Sequence, residues 1–176
     1  MEWEFDFLYW LQQFRSPALD KIMAFLSDIG NMGILWIVIG VILLISKKYR
    51  RGGLQMLLAM LLTFIVGNLI LKNVFDRPRP CQIDTTINLM VKIPHDASFP
   101  SGHTMNGIVS AVSLLYIDKR MGIPAIILAS LIAFSRMYNF MHFPTDIIGG
   151  FCIGLASAIF MNYIFKRKCQ KLDFAK

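Results

Sequence analysis

Between Ser135 and Asp146 the chain reads Ser-Arg-Met-Tyr-Asn-Phe-Met-His-Phe-Pro-Thr-Asp, which sets Arg136, His142 and Asp146 between two long apolar segments. Ionisable groups placed that deep in a bilayer are expensive, so they point to function before structure. Arginine meets a phosphate through paired hydrogen bonds. Histidine can attack phosphorus or carry a proton, and a nearby carboxylate can fix its tautomer. The combination points to phosphoryl chemistry at a membrane surface.

Two further clusters supply what such chemistry needs. One is Lys72-Asn-Val-Phe-Asp-Arg-Pro-Arg79-Pro80; the other is Pro100-Ser101-Gly102-His103. Lys72, Arg79 and Arg136 together offer three positive charges to the oxygens of a phosphoryl group in transfer. Pro80 restricts the backbone beside Arg79. Pro100-Ser101-Gly102 opens a helix, where free amides attract an anion and glycine permits close approach. His103 follows in the first turn, placed to protonate a leaving oxygen. Pro144 suits a first helical position, so Asp146 falls in the next turn and can reach back to His142.

Plainer readings stand beside these. Lys72 and Arg79 taken singly are interfacial anchors, and a lone His142 is a structural hydrogen-bonder. Their company with Arg136 and Asp146 shifts the balance to catalysis. His95 has no motif partner and reads as a solvated loop residue. Asp76 and Arg77 read as local loop charges, with Arg77 in reach of a second phosphate. Trp3, Trp10 and Trp36 read as interface or packing residues, and Asn106 and Tyr138 as supports behind the site. No carboxylate cluster of the kind that holds Mg²⁺ accompanies the motifs.

The elements that must position these residues follow from composition. The 176 residues suffice for one domain; 56% are hydrophobic and 16% charged, with the apolar residues in blocks. A soluble domain of that size could not hide so much apolar surface, so the chain reads as an all-α polytopic membrane protein. Its net charge of +7 does not point to nucleic acid, because the basic residues sit in short clusters between hydrophobic blocks. Acidic Glu2, Glu4 and Asp6 exclude a cleavable signal peptide in the first fifteen residues. Cys81, Cys152 and Cys169 form no metal-like spacing, and the topology below sets Cys81 and Cys169 on opposite sides of the membrane, against a disulfide between them.

Five spans are expected: Met32 to Ile45, Leu54 to Leu71 with Asn68 its one strongly polar interior residue, Gly102 to Ile117, Ile123 to about Tyr138, and Pro144 to Phe165. Residues 1–29 form amphipathic interfacial helices broken at Ser16-Pro17, with a tilted or re-entrant segment that carries the amino terminus across the membrane as the alternative for 18–29; residues 30–168 form the transmembrane domain, and residues 169–176 a basic tail. Prolines 78, 80, 94 and 100 forbid one continuous helix across residues 72–100. Gly149, Gly150, Gly154, Ala156 and Ser157 give the fifth span a small-residue face for close packing. Lys47, Lys48, Arg50, Arg51, Lys119, Arg120, Lys166, Arg167, Lys168, Lys171 and Lys176, eleven of the eighteen basic residues, fall on one side. That side is cytoplasmic by the positive-inside rule, and the polar clusters share the outer face.

With these residues in hand the chain resembles the type 2 phosphatidic acid phosphatase (PAP2) superfamily of membrane lipid phosphatases. Its signatures K-x6-R-P, P-S-G-H and S-R-x5-H-x3-D are matched in order at Lys72, Arg79, Pro80, Pro100, Ser101, Gly102, His103, Ser135, Arg136, His142 and Asp146. The resemblance covers about residues 30–165; residues 1–29 depart from members with six spans and a cytoplasmic amino terminus. It implies a lipid phosphate or diphosphate as substrate, hydrolysed without cofactor or metal. His142 is then the nucleophile that forms a phosphohistidine, Asp146 its orienter and His103 the general acid. Lys72, Arg79, Ser101, Gly102 and Arg136 bind the phosphate. The cytoplasmic basic loops and the lack of a targeting peptide suit a bacterial plasma membrane, and the resemblance implies undecaprenyl diphosphate as first substrate, with phosphatidylglycerophosphate or phosphatidate as alternatives. A lipid phosphotransferase would use the same site, and a non-catalytic transporter or scaffold would keep the spans without needing His142.

Overall fold

A computed structural model describes residues 2–173, with side chains through residue 166. The amino terminus forms α1 (Glu2–Gln12) and α2 (Pro17–Ile29), separated where Ser16 caps α2 by accepting from the Leu19 amide. A short 3-10 turn, Asn31–Gly33, leads into α3 (Ile34–Ile45). Met32 and Gly33 take positive φ there, and α2 and the segment Asn31–Ile45 meet at 41°. α4 (Arg50–Phe64) runs through a wide π-helical stretch, Ile65–Leu71, into α5 (Lys72–Phe75). After the one-turn α6 (Pro80–Ile83) comes an irregular loop, then α7 (Gly102–Ile117), α8 (Lys119–Tyr138) and α9 (Pro144–Asp173).

The fold is organised around α7, which packs against α8, α9, α4 and α3. It is only 16 residues long and nine of them are buried, among them Thr104, Ser110 and Ser113. Glycines let its neighbours approach at backbone distance. A Cβ at Gly150 would lie 2.8 Å from the Ser101 carbonyl oxygen, and one at Gly154 2.8 Å from that of Met105. Trp36, Met56, Met60, Val109, Leu114 and Ile132 fill the main core between the helices. A second core joins Leu8 and Leu11 of α1 to Cys81, Phe140, Met141 and Phe143, so α1 lies over the α8–α9 corner.

Apolar side chains also cover the outside. Ile34, Val38 and Ile42 on α3, Leu54, Leu58 and Leu61 on α4, Ile123, Ile127 and Leu131 on α8, and Ile148, Phe151 and Ile159 on α9 are all exposed. Such stripes suit hydrocarbon as solvent, with the small residues turned inward. Among the described residues, three stretches are long and apolar enough to cross a bilayer: Arg50–Ile83, Lys119–Tyr138 and Pro144–Lys166; the bent pair α2 and Asn31–Ile45 makes a fourth. The chain is thus an all-α, multi-pass protein with three to four candidate spans. α7 has the expected limits of a span but falls short of crossing on length alone. The small-residue face of α9 is narrower than expected, since Ala156 is exposed while Gly150, Gly154 and Ser157 are buried. The basic residues from Arg167 onward lie outside the described side chains, and Lys176 outside the described residues.

Candidate active site

The three sequence clusters meet at one end of α7. Lys72 arrives at the end of the π-helical stretch, whose wide turn is a frequent feature of functional sites. Arg79 is held at the N-cap of α6, where its backbone amide donates to Gln82 Oε1 at 2.7 Å. His142 is presented by the tight corner between α8 and α9. That corner turns at Phe140, a non-glycine residue with φ 58°, and the Met141 amide donates to the Arg136 carbonyl at 2.9 Å. Asn139 braces it, its side-chain amide donating to the carbonyls of Met23 and Ser135. A buried side chain in the left-handed region is strained, and here the packing of α1 and α2 holds it.

A cavity of about 350 Å³ opens between these elements, lined by Lys72, Arg79, Gly102, His103, Arg136 and His142 together with Asn68, Asp96 and Asn106. Met32 and Phe64 give it an apolar side. Lys72, Arg79, Arg136 and His142 are all buried. Three cations in one partly dry cup demand an anion, because buried charges are tolerated only when paired.

The hydrogen bonds determine the state of His142. Arg79 Nη1 lies 3.1 Å from His142 Nε2, and a guanidinium can only donate. Nε2 is therefore the lone-pair nitrogen and Nδ1 carries the proton. Ser98 Oγ stands 3.3 Å from Nδ1 and donates to Asp146 Oδ2 at 2.5 Å. Asp146 Oδ2 is itself 3.6 Å from Nδ1 and accepts the Phe143 amide at 2.8 Å. The aspartate thus orients the imidazole largely through a serine. Burial pushes the His142 pKa well below its ordinary 6.5, and the charges of Arg79, Arg136 and Lys72 push the same way. The ring is neutral at physiological pH, as a nucleophile requires.

Asp96 supplies the negative charge that the cup lacks. Its Oδ1 accepts from Arg79 Nη2 at 2.7 Å, its Oδ2 pairs with Lys72, and its carbonyl accepts from Arg79 Nε at 3.0 Å. Burial favours the neutral acid, but Lys72 and Arg79 outweigh it and lower the carboxyl pKa to about 2. Arg136 pairs with the Ser27 hydroxyl, while its Nε has no partner among the described residues. Neither does Asn68 Oδ1, from the π-helical stretch. His103 Nε2 faces two acceptors, the Ser27 carbonyl at 3.1 Å and Asn31 Oδ1 at 3.2 Å, so it carries a proton.

Of the residues expected from sequence, Lys72, Arg79, Gly102, His103, Arg136 and His142 line the cavity, and Asp146 stands directly behind His142. Ser101 does not reach it. Its hydroxyl accepts from Thr104 and its amide donates to the Asp146 carbonyl at 3.1 Å, so it ties α7 to α9 and leaves the cavity to Gly102. Arg77, expected as a loop charge in reach of a second phosphate, turns the other way and donates to Asp146 Oδ1 at 2.7 Å. Asn106 lines the cavity; Tyr138 instead donates to Asp20 at 2.7 Å. Ser98, Asp96 and Glu4 escaped sequence reasoning. Ser98 and Asp96 lie just before the Pro100-Ser101-Gly102-His103 motif, and that proximity is their one signal.

A neutral buried imidazole, a carboxylate behind it and three cations in front define a phosphoryl-transfer enzyme embedded in a helical membrane bundle. Residues 52–169 match the PAP2 superfamily. The undecaprenyl-diphosphatase of Sulfolobus acidocaldarius is 34% identical over 138 residues, which are 78% of this chain and 66% of that protein. Phosphatidylglycerophosphatase B of Bacillus subtilis is 32% identical over 160 residues, 80% of this chain and 72% of that one. A crystal structure of a PAP2 type phosphatidylglycerolphosphate phosphatase from Bacillus subtilis superposes with a TM-score of 0.78 at 27% identity, covering 94% of this chain and 86% of that chain. This chain belongs to the PAP2 superfamily and is a membrane phosphatase of the PAP2 type.

Proposed function

We propose that the chain hydrolyses a lipid diphosphate at the outer leaflet of a bacterial plasma membrane, undecaprenyl diphosphate first among candidates. The observation that carries this reading is the convergence of Lys72, Arg79 and Arg136 on the cavity faced by His142 Nε2. A terminal phosphoryl group enters the cup, displaces the Asp96 carboxylate and draws Arg79 onto its own oxygens, which frees Nε2. Nε2 attacks phosphorus, the bond from phosphorus to the lipid-side oxygen breaks, and His103, entering the cycle as the imidazolium, gives that oxygen one proton and becomes neutral. Water then attacks the phosphohistidine and yields its proton to His103. Inorganic phosphate leaves and both imidazoles return to their starting states. The Nδ1 proton stays on the Ser98–Asp146 side throughout, stabilising the phosphorylated ring.

The lipid enters sideways, past Met32 and Phe64, since its tail gains nothing by leaving hydrocarbon. Five crossings fit this arrangement, with α7 as a short span enclosed by the others, and α1 lies in the outer interface. The relatives named for undecaprenyl diphosphate and for phosphatidylglycerophosphate make the latter the second candidate.

The test is phosphate release by the full chain in detergent with chelator, across undecaprenyl diphosphate, phosphatidylglycerophosphate and phosphatidate. His142→Ala is expected to abolish release and keep the thermal unfolding midpoint. Transfer of the phosphoryl group to a second lipid instead of water would make the chain a phosphotransferase. Full activity of His142→Ala would end the phosphohistidine mechanism.

A further inference from the structure

Arg77 and Glu4 form a charged path from the amino-terminal helix to the back of the catalytic dyad. Arg77 Nη1 donates to Asp146 Oδ1 at 2.7 Å and to Thr145 Oγ1 at 2.7 Å, while its Nη2 donates to Glu4 Oε2 at 2.7 Å. Glu4 Oε1 accepts the Thr145 hydroxyl at 2.6 Å, closing the ring on the first turn of α9. The Arg77 guanidinium also lies over the Phe143 ring, 4.1 Å from its centroid. The side chain of Asp146 is fully buried, that of Glu4 is 5% exposed and that of Arg77 15%. None of the cavity-lining residues is Arg77 or Glu4, so neither meets the phosphate.

The geometry matters because Asp146 is otherwise underheld. Its Oδ2 receives the Phe143 amide and the Ser98 hydroxyl and faces His142 Nδ1, whereas the side-chain partner of Oδ1 is Arg77 alone among the described residues. A carboxylate pinned at one oxygen can rotate; pinned at both, it presents a fixed edge to the serine and the imidazole. Planar arginine suits this two-ended task, with one nitrogen on each carboxylate. Glu4 in turn neutralises Arg77 and ties it to α1. The outer side of α1 carries exposed Trp3, Tyr9 and Trp10, and its inner side seats Leu8 and Leu11 on Phe140 and Phe143. The helix that rests in the membrane interface is thereby one wall of the catalytic corner.

We infer that Arg77 and Glu4 are positioning residues for the His142–Asp146 dyad, with Glu4 of α1 acting through Arg77. The inference rests on the phosphatase reading, and its test separates the two. The full-length chain in detergent is assayed for phosphate release from a short-chain phosphatidate, with His142→Ala as the blank. Arg77→Met is expected to lower kcat on the order of tenfold to hundredfold, as a misplacement near 1 Å does, and to leave KM within about twofold. Arg77→Lys restores part of the rate, and Glu4→Gln lowers kcat less. The double variant Glu4→Gln with Arg77→Met is no slower than Arg77→Met alone, because residues acting in series are not additive.

A second readout needs no substrate. The chain has three histidines, so nitrogen NMR of labelled histidine, assigned with His142→Ala, reports the tautomer of His142. The wild type is expected to hold the proton on Nδ1, and Arg77→Met to move the signals toward a mixture of tautomers. A raised KM at constant kcat, multiplying losses in the double variant, or an unchanged His142 spectrum in Arg77→Met would each overturn the assignment. Should Arg77→Met not fold, Arg77→Lys and Glu4→Gln carry the same comparisons. A wild type that releases no phosphate from phosphatidate, phosphatidylglycerophosphate or undecaprenyl diphosphate while its His142 signals respond as stated would count against the phosphatase reading and leave the positioning role standing.

Discussion

Arg79 donates to Nε2 of His142, with Nη1 3.1 Å away, so the nitrogen proposed to attack phosphorus is capped by the same cation proposed to hold the phosphate. On the proposed mechanism the substrate phosphate has to win Arg79 from His142 Nε2 and the Asp96 carboxylate, while the carbonyls of Asp96, Ala97 and Met141 also accept from its guanidinium.

The first consequence concerns pH. The pKa of His142 is depressed by burial, and further by Arg79, Arg136 and Lys72. The neutral imidazole that the proposed attack needs is therefore present above its folded pKa and is lost as pH falls through that value, which lies well below 6.5. Nitrogen NMR of His142, followed downward from about pH 8, is expected to show no protonation at 6.5, where an ordinary imidazole is half protonated. Half protonation at 6.5 would mean that the cationic cup is wetter or more compensated than the structure has it. The same sign rule links His142 to stability. A group that binds protons more weakly when folded lowers the stability of the fold as pH falls below its unfolded value.

Asp96 competes with phosphate for Lys72 and Arg79. With its carboxyl pKa at about 2, it stays ionised wherever the enzyme works. Asp96→Asn should tighten inhibition by inorganic phosphate and lower KM by about tenfold, the equivalent of ~1.4 kcal/mol. That ratio should hold across neutral pH. Weaker phosphate inhibition in the variant would recast Asp96 as an orienter of Arg79 and not its competitor.

Ser98→Ala removes the hydroxyl between Asp146 and His142. A hydrogen bond to a charged acceptor contributes roughly 1.5–3 kcal/mol, so kcat should fall on the order of tenfold to hundredfold. KM should move little, because Lys72, Arg79 and Arg136 keep their places. Steady-state kinetics on Ser98→Ala check this, and a KM effect alone would sink it.

Gly154 and Gly150 hold α9 against α7 at backbone distance. Gly154→Leu must push Met105 and Val109 aside, since a Cβ there lies 2.8 Å from the Met105 carbonyl oxygen and 3.1 Å from the Val109 amide. Overpacking of this kind typically destabilises by about 1–3 kcal/mol, and a displaced α7 carries Gly102 and His103 with it. Both the thermal midpoint and phosphate release should drop, whereas Cys152→Ala, at an exposed position, should change neither. Wild-type stability in Gly154→Leu would show that the two helices pack more loosely.

The amino-acid sequence by itself determined the class of molecule and most of the cup. Apolar blocks limited by basic clusters, and fixed spacings around Lys72, Arg79, His103, Arg136, His142 and Asp146, are local properties of the chain, and they were legible as such. Tertiary structure alone decided which way irregular backbone turns its side chains. Ser101 faces α9 and not phosphate, Arg77 faces Asp146, and Asp96 and Ser98 come from a loop with no periodicity to read. Glu4 is the extreme case: it sits 142 residues before Asp146, yet a single guanidinium joins them. Helical faces follow from a repeat of 3.6 residues, and so can be read in one dimension. Contacts between a loop, a corner and a distant helix depend on how buried charges find partners once the bundle has closed, and no local spacing encodes that choice.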